Sequence, residues 1–442
     1  MASGDQPDTP AQATDDSGAK AAAADPHRAI VDAVDVAAVV PSVRMLAACR
    51  MALQPGRMAL ALAAVVLVYL AGSAMDAAWG PITDRGAVES FLTGREVGGE
   101  PMGVFAALVE AEVSAFKHTI GSALRLELGV PLLTAPGEGS RSGVLGGLTR
   151  MVLGVPAWLV SEHPGFAAVF ASIGLVVTVT VGGAIARSTA VQVGRHRRIG
   201  AGASVAYVGR RMVWYLATAL IAPGVAVALL GLAAGLGALL NVPGLDVVGG
   251  LAFGLVVLLA AGAVVVLIGM AAAGNLMMPA LAVEGTDAFD AVSRSYAYVF
   301  GRPLHFLWYT AVLLVAGALA YAALGLAVYG TMWLARGAAG VLVFRGDEAG
   351  WYEAVAPPPR RDRLLLPVDW EGLSATSRLT ATMIRQWQLL LLALLPAYAF
   401  SYYFTAYTWV YLLIRRSADG APIAEVYDGE LAGDGETAGA GG

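Results

Sequence analysis

From Met212 to Val283 the chain carries one charged side chain, Asp246. A hydrocarbon core about 30 Å thick is crossed by about 20 apolar residues in helix, and a helix pairs its own peptide groups where no water can do so. The run is long enough for two crossings. Its charge falls within the turn sequence Asn241-Val-Pro-Gly-Leu-Asp246, so the stretch predicts a tight helical hairpin with spans at 212–240 and 247–273.

The rest of the chain repeats this pattern. Of 442 residues 57% are hydrophobic and only 14% are charged, against about 25% charged in soluble domains, and the charges cluster between apolar runs. Four further runs qualify as spans, at 58–79, 165–186, 304–335 and 387–414. The expected fold is all-α: a polytopic transmembrane helical bundle of about six spans with additional interfacial amphipathic helices. Residues 1–41, rich in Pro, Gly, Asp and Ala, predict a disordered cytoplasmic arm, 42–414 the transmembrane domain, and 415–442 an acidic disordered tail. A lead-in helix over Ser42–Leu53, flanked by Arg44 and Arg50, is expected at the interface.

Two segments between spans are long, 80–164 and 336–386. In the first, Phe105, Leu108, Val109, Val113, Phe116 and Ile120 form a helical stripe interrupted by Glu110, Glu112 and Lys117, which predicts a helix lying on the membrane or against the bundle. Residues 144–160 are broken by Gly146, Gly147, Gly154 and Pro156 and predict a shallow or re-entrant segment; an eight-span arrangement is the alternative. In the second, the polar section around Pro357–Pro359 leads to an amphipathic helix over Ser374–Arg385 that feeds the last span.

Positive charge marks orientation. Six arginines (187, 195, 197, 198, 210 and 211) and no acid occupy 187–211, and Arg44, Arg50 and Arg57 precede the first span. Both groups fall inside when both termini are cytoplasmic, as do Arg415 and Arg416; the arginines of 336–385 are the exception. The preference for arginine over lysine and the abundance of glycine (54 residues) and alanine suggest a bacterial inner-membrane protein.

Chemistry-bearing residues are sparse. The single cysteine, Cys49, and five scattered histidines lack zinc-ligand spacing, so no metal or other cofactor is expected. His118 and His163 have no nucleophile or paired carboxylate assigned to them. Arg195-His-Arg-Arg198 lacks the aromatic platform of a nucleic-acid site, and Arg195, Arg197 and Arg198 are candidate contacts for anionic lipid headgroups. Tyr398, Tyr402 and Tyr407 on the last span are candidate cavity-lining residues. Gly231-x-x-x-Gly235 and Gly250-x-x-x-Gly254 suit close helix packing, within the hairpin or between chains.

The most distinctive stretch runs from Met277 to Ser295. Glu284-Gly285 ends a span, Thr286 can cap a short helix whose positive end Asp287 favours, Asp290 and Arg294 form an i,i+4 pair, and Gly301 with Pro303 stops it. Glu284, Gly285, Asp290 and Arg294 define a structural elbow. Apolar span, Pro, Glu-Gly, Ala-x-x-Arg-Ser and another span, over about 270–330, resemble the membrane domain of bacterial glycerophosphodiester phosphodiesterases and related multi-span proteins. The resemblance implies fold and topology only, since the activity of those enzymes belongs to a separate soluble barrel of about 250 residues. The expected role is a non-enzymatic scaffold or accessory subunit, with membrane lipids and a protein partner or second copy as its contacts. The alternatives are a channel or transporter for an uncharged or lipid-like solute and, last, a lipid-modifying enzyme.

Overall fold

The structure is a computed structural model that describes residues 45–94, 96–127, 129, 143–343, 350–359, 368, 370 and 372–427. The expected arm at 1–41 and the end of the tail, 428–442, lie outside these residues. The fold is an all-α helical membrane bundle, and the one sheet among the described residues is a two-residue ribbon pairing β1 (Thr83–Asp84) with β2 (Pro101–Met102).

Helix α1 (Ala47–Ala52) leads into α2 (Pro55–Trp79), which starts on a proline and stops at Gly80, where φ is 79°. Short α3 (Ala87–Thr93) and the 21-residue α4 (Val104–Leu124) follow. Next come α5 (Gly143–Thr149), a π-turn over Arg150–Gly154 and α6 (Val155–Glu162). Helix α7 (Pro164–Arg195) again starts on a proline. The basic loop then folds into α8 (Ala201–Arg210).

The uncharged run becomes α9 (Met212–Gly237), a 3-10 turn (Ala238–Asn241) and α10 (Asp246–Glu284). Asp246 sits at the hairpin tip, where its Oδ1 accepts from the backbone N–H of Gly244 at 3.0 Å and of Val247 at 2.9 Å. The one charge in the run therefore closes the turn. Past the elbow lie α11 (Ala288–Gly301), α12 (Pro303–Gly340), α13 (Trp351–Val355) and α14 (Ala375–Asp419).

Among the described residues seven helical stretches are long and apolar enough to cross a membrane, the six expected ones and Gly143–Glu162. Trp79 at the end of α2 meets Phe166 at the start of α7, with ring centroids 5.9 Å apart. At the other end of the same pair, Arg57 Nε donates to Ser188 Oγ at 2.8 Å. The two helices are thus antiparallel neighbours, and everything between them begins and ends at one end of the bundle. That segment makes no crossing or two. Helix α4, the other long helix among the described residues of the segment, passes from Tyr69 (Phe105 ring, 5.8 Å) across to Tyr321 of α12 (Phe116 ring, 5.8 Å). It is anchored where Asp76 accepts from the N–H groups of Phe105 and Ala106 at 2.8 and 3.0 Å. Residues 143–162 pack beside α4.

The core lies between α7 and α14, whose buried residues include Val179, Ile185, Ala190, Phe404 and Val410. A Cβ on Gly182 would fall within the Phe404 ring, so only glycine permits this approach. Helix α1 differs from expectation: Met45, Ala48, Met51 and Ala52 are buried. Ser401 Oγ donates to Ala52 O at 2.8 Å, and Cys49 lies 3.8 Å from Ala316 O. The buried part of its apolar face packs against α14 and α12, while Leu46 and Leu53 stay about half exposed.

Helix α14 also exceeds its expected bounds, because the amphipathic stretch from Ser374 and the last span are one 45-residue helix, about 67 Å long at 1.5 Å per residue. It and α12 reach well beyond a 30 Å core. Their extensions are tied by Arg336 Nε donating to Ala356 O at 2.7 Å and Trp351 Nε1 to Ser377 Oγ at 2.9 Å.

Candidate functional site

A helix leaves its last four carbonyls without intrahelical partners, and the C-terminus carries a partial negative charge. At the end of α10 these groups collect cations. Gly285 turns the chain at φ 64°. Leu281 O accepts from Tyr207 OH at 3.3 Å, Ala282 O from Arg187 at 2.9 Å, Val283 O from the Tyr427 N–H at 2.8 Å and Gly285 O from Arg211 at 2.5 Å. Arg187 also stacks over the Tyr207 ring, 4.2 Å from its centre, and Arg211 lies 4.9 Å from that of Tyr427. The arginines expected to mark orientation thus clamp a helix end.

The elbow carboxylate completes the cluster. Glu284 Oε1 accepts from Arg415 Nε at 2.9 Å and from Tyr411 OH at 3.0 Å, while Arg294 stands 3.9 Å from Oε2. Arg294 pairs with Asp290 at 2.9 Å, one turn back, as the spacing predicts. The helix cap is not the expected residue: Asp287 Oδ1 accepts from the Asp290 N–H at 2.8 Å, whereas Thr286 Oγ1 is buried without a partner. Burial and a hydrogen bond to Asp419 push the Tyr298 phenol up to about 12.

The segment after α14 belongs to this site. Helix α14 continues past Arg415 to Asp419, and Gly420, at φ 71°, turns the chain back. Arg415 then donates to Glu425 O at 2.6 Å, Arg195 to Val426 O at 2.8 Å and Arg187 to Tyr427 O at 2.9 Å. The tail boundary expected at 415 is therefore inside structure, and 420–427 strap α7, α10 and α14 together. Sequence reasoning singled out Glu284, Gly285, Asp290 and Arg294 but missed Arg187, Arg211, Arg415 and Tyr427. Arg187, at the end of an apolar span with no nearby acid, was the one available signal.

Beside this cluster, on the same basic face, a cavity of about 450 Å³ is lined by Ala47, Arg50, Met51, Gln54, Gln192, Val193, His196, Arg198 and Trp409. Of the three headgroup candidates, Arg195 is tied to the tail, Arg197 is exposed away from the cavity and Arg198 is on its rim. The tyrosines pack within the bundle. Tyr402 OH donates to Leu313 O at 2.7 Å, Tyr403 OH bonds Asn275, Tyr398 is 1% exposed, and Tyr407 packs on the Tyr403 ring at 4.9 Å. None of Tyr398, Tyr402 and Tyr407 lines this cavity or the one at the opposite end.

That opposite cavity, about 600 Å³, brings His163 near Asp84, Glu96 and Glu162. His163 stands edge-on to Trp158 at 5.3 Å, and Asp84 accepts from the Gly86 N–H at 2.9 Å. Among the described residues His163 has no hydrogen bond to a carboxylate, and no group of three or more His, Cys, Asp or Glu is placed to hold a metal. His118 is exposed on α4, away from this cleft.

On α4, burial pushes the Glu112 carboxyl up to about 7. The folded state then binds its proton more tightly than the unfolded one, so stability is full below the ordinary glutamate range and falls as pH rises through 7. The apparent melting temperature at pH 5 is expected to exceed that at pH 8 by a few degrees. Glu112→Gln should shrink that difference; an unchanged profile would remove Glu112 as its source.

The geometry defines a class, a polytopic helical membrane protein whose clamped elbow fixes a long two-helix arm. Beyond that class no likeness was found, since no family model, curated protein or solved structure matches the chain.

Proposed function

We propose that the protein is a non-enzymatic scaffold or accessory subunit of the bacterial inner membrane that presents the α9–α10 hairpin to a transmembrane helix of a partner protein. The observation that carries this reading is how little of the hairpin its own chain covers. In the most apolar window of α10 only 6% is buried, and Val213, Val227, Leu251, Leu258 and Val265 are each more than two-thirds exposed. Gly231 and Gly235 on α9, and Gly250 and Gly254 on α10, have nothing within 4 Å of where a Cβ would stand. They do not pack the hairpin's arms together, a role taken by Gly249 against Leu240 and Gly262 against Leu229. Outward glycine tracks let another helix approach closely, where dispersion and weak hydrogen bonds drive association in lipid. The elbow clamp supports the same reading by holding the arm's base rigid.

The test is native electrophoresis of protein extracted with its surrounding lipid by an amphipathic polymer. Wild type is expected to migrate as a complex, and Gly250→Leu with Gly254→Leu as the single chain at unchanged melting temperature. Migration of wild type as one chain plus lipid would defeat the proposal, and a complex containing only this chain would make the partner a second copy.

A further inference from the structure

We propose that the cavity on the basic face binds a phosphate group, held by Arg50, Arg198 and His196 above the buried Arg57. The argument begins with Arg57, which is 4% exposed. A buried cation is ordinarily paired with an anion, because removal from water costs several kcal/mol that neutral dipoles recover only in part. Arg57 has neutral acceptors alone: Ser188 Oγ at 2.8 Å, Met51 O at 2.9 Å and Gln192 Oε1 at 2.7 Å. No carboxylate of the described residues reaches it, and Arg198 lies close enough for its like charge to act on it.

Met51 and Gln192 also line the cavity, so Arg57 forms the layer beneath its floor. The polar side chains of the lining are three basic groups and the amides of Gln54 and Gln192. Arg50 and Arg198 supply guanidiniums and His196 an imidazole, and neither arginine has a protein partner among the described residues. Gln192 directs its oxygen to Arg57, which leaves its NH₂ for whatever occupies the space. Trp409, 9% exposed, completes the wall with its ring. The lining contains no carboxylate. A pocket that offers donors above an unpaired buried positive charge has the chemistry of an anion site, and arginine forks match the oxygens of phosphate.

The backbone is shaped for this arrangement. His196 ends α7 in the left-handed region at φ 55°, a conformation that is uncommon for a residue with a side chain and that persists where its surroundings enforce it. After this turn Arg198 lines the cavity together with Arg50 of α1, whereas Arg197 does not. The face holds the arginines that flank α2, α7 and α14, so the phosphate comes either from the headgroup of an anionic phospholipid in the adjoining leaflet or from a soluble phosphate.

The full chain, purified in detergent and stripped of lipid, tests the site in two arms. Native mass spectrometry follows retention of added phosphatidylglycerol against phosphatidylcholine, and thermal unfolding follows stabilisation by inorganic phosphate. Wild type is expected to favour phosphatidylglycerol, and Arg50→Gln with Arg198→Gln to weaken that retention at least tenfold, while Arg197→Gln leaves it unchanged. Phosphate stabilisation lost in the double variant, without a lipid preference, also supports the site and makes the ligand soluble. Equal behaviour of wild type and double variant in both arms overturns the proposal, as does an equal loss in Arg197→Gln, which would mean diffuse surface charge. Should the double variant fail to fold, Arg198→Gln alone, a change at the exposed rim, carries the same comparison.

Discussion

Replacing Arg415 by methionine is expected to cost about 3–5 kcal/mol of stability, the usual result of removing one partner from a buried ion pair. Arg415 is 6% exposed and the Glu284 side chain 11%, so the carboxylate left behind would keep only the Tyr411 hydroxyl and the longer ion pair to Arg294. The same substitution releases Glu425 O and loosens the returning tail. Adding Glu284→Gln should recover more than half of the loss, because a neutral pair removes the stranded charge. Denaturant unfolding in detergent measures both. A loss below about 1 kcal/mol for the single variant would show that the cluster does not hold the elbow.

The second large effect is expected at Gly182. Leucine there would have to occupy the space of the Phe404 ring at the crossing of α7 and α14. Overpacking of a well-filled core costs about 1–3 kcal/mol and more where backbone must move. This contact joins the two most buried helices, so the upper end or beyond is expected, with a fall in folded yield. Phe404→Ala alone should cost about 3–5 kcal/mol through the cavity it leaves. The two changes together should be milder than their sum, because each makes room for or fills the space of the other. Strict additivity would place the leucine somewhere other than against Phe404.

Both sites show how far the sequence could be read. The hairpin at 212–273 and the elbow boundaries were legible because they depend on short-range rules: an apolar run of fixed length, a turn with proline and glycine, a glycine at a helix end, an i,i+4 pair. The cap at Asp287 was misplaced by one residue, since Thr286 and Asp287 both suit that role and the difference lies in which side chain faces the first turn. Gly182 looked like one glycine among many. What made it special was an aromatic ring 222 positions away in the chain.

Arg187, Arg211 and Arg415 were read as markers of orientation because a local view shows only a cation beside a span. Their partners are the carbonyls at the end of α10 and a tail that returns to them, and no spacing rule connects these. Helix α1 was expected on the membrane surface for a similar reason. An apolar helical face predicts that something covers it, and α14 and α12 cover its buried part where lipid was expected.

By itself the sequence determined the class of solvent, the crossing helices and their order, because hydrocarbon demands long apolar segments that satisfy their own peptide groups wherever they sit. Only the tertiary structure decided which polar groups meet. It paired α2 with α7, turned arginines into clamps on a helix terminus, and set Arg57 below a cavity lined by two further arginines. Pairing of charges and ring contacts depends on distances between residues remote in the chain. Hydropathy is summed along a segment and carries no record of them.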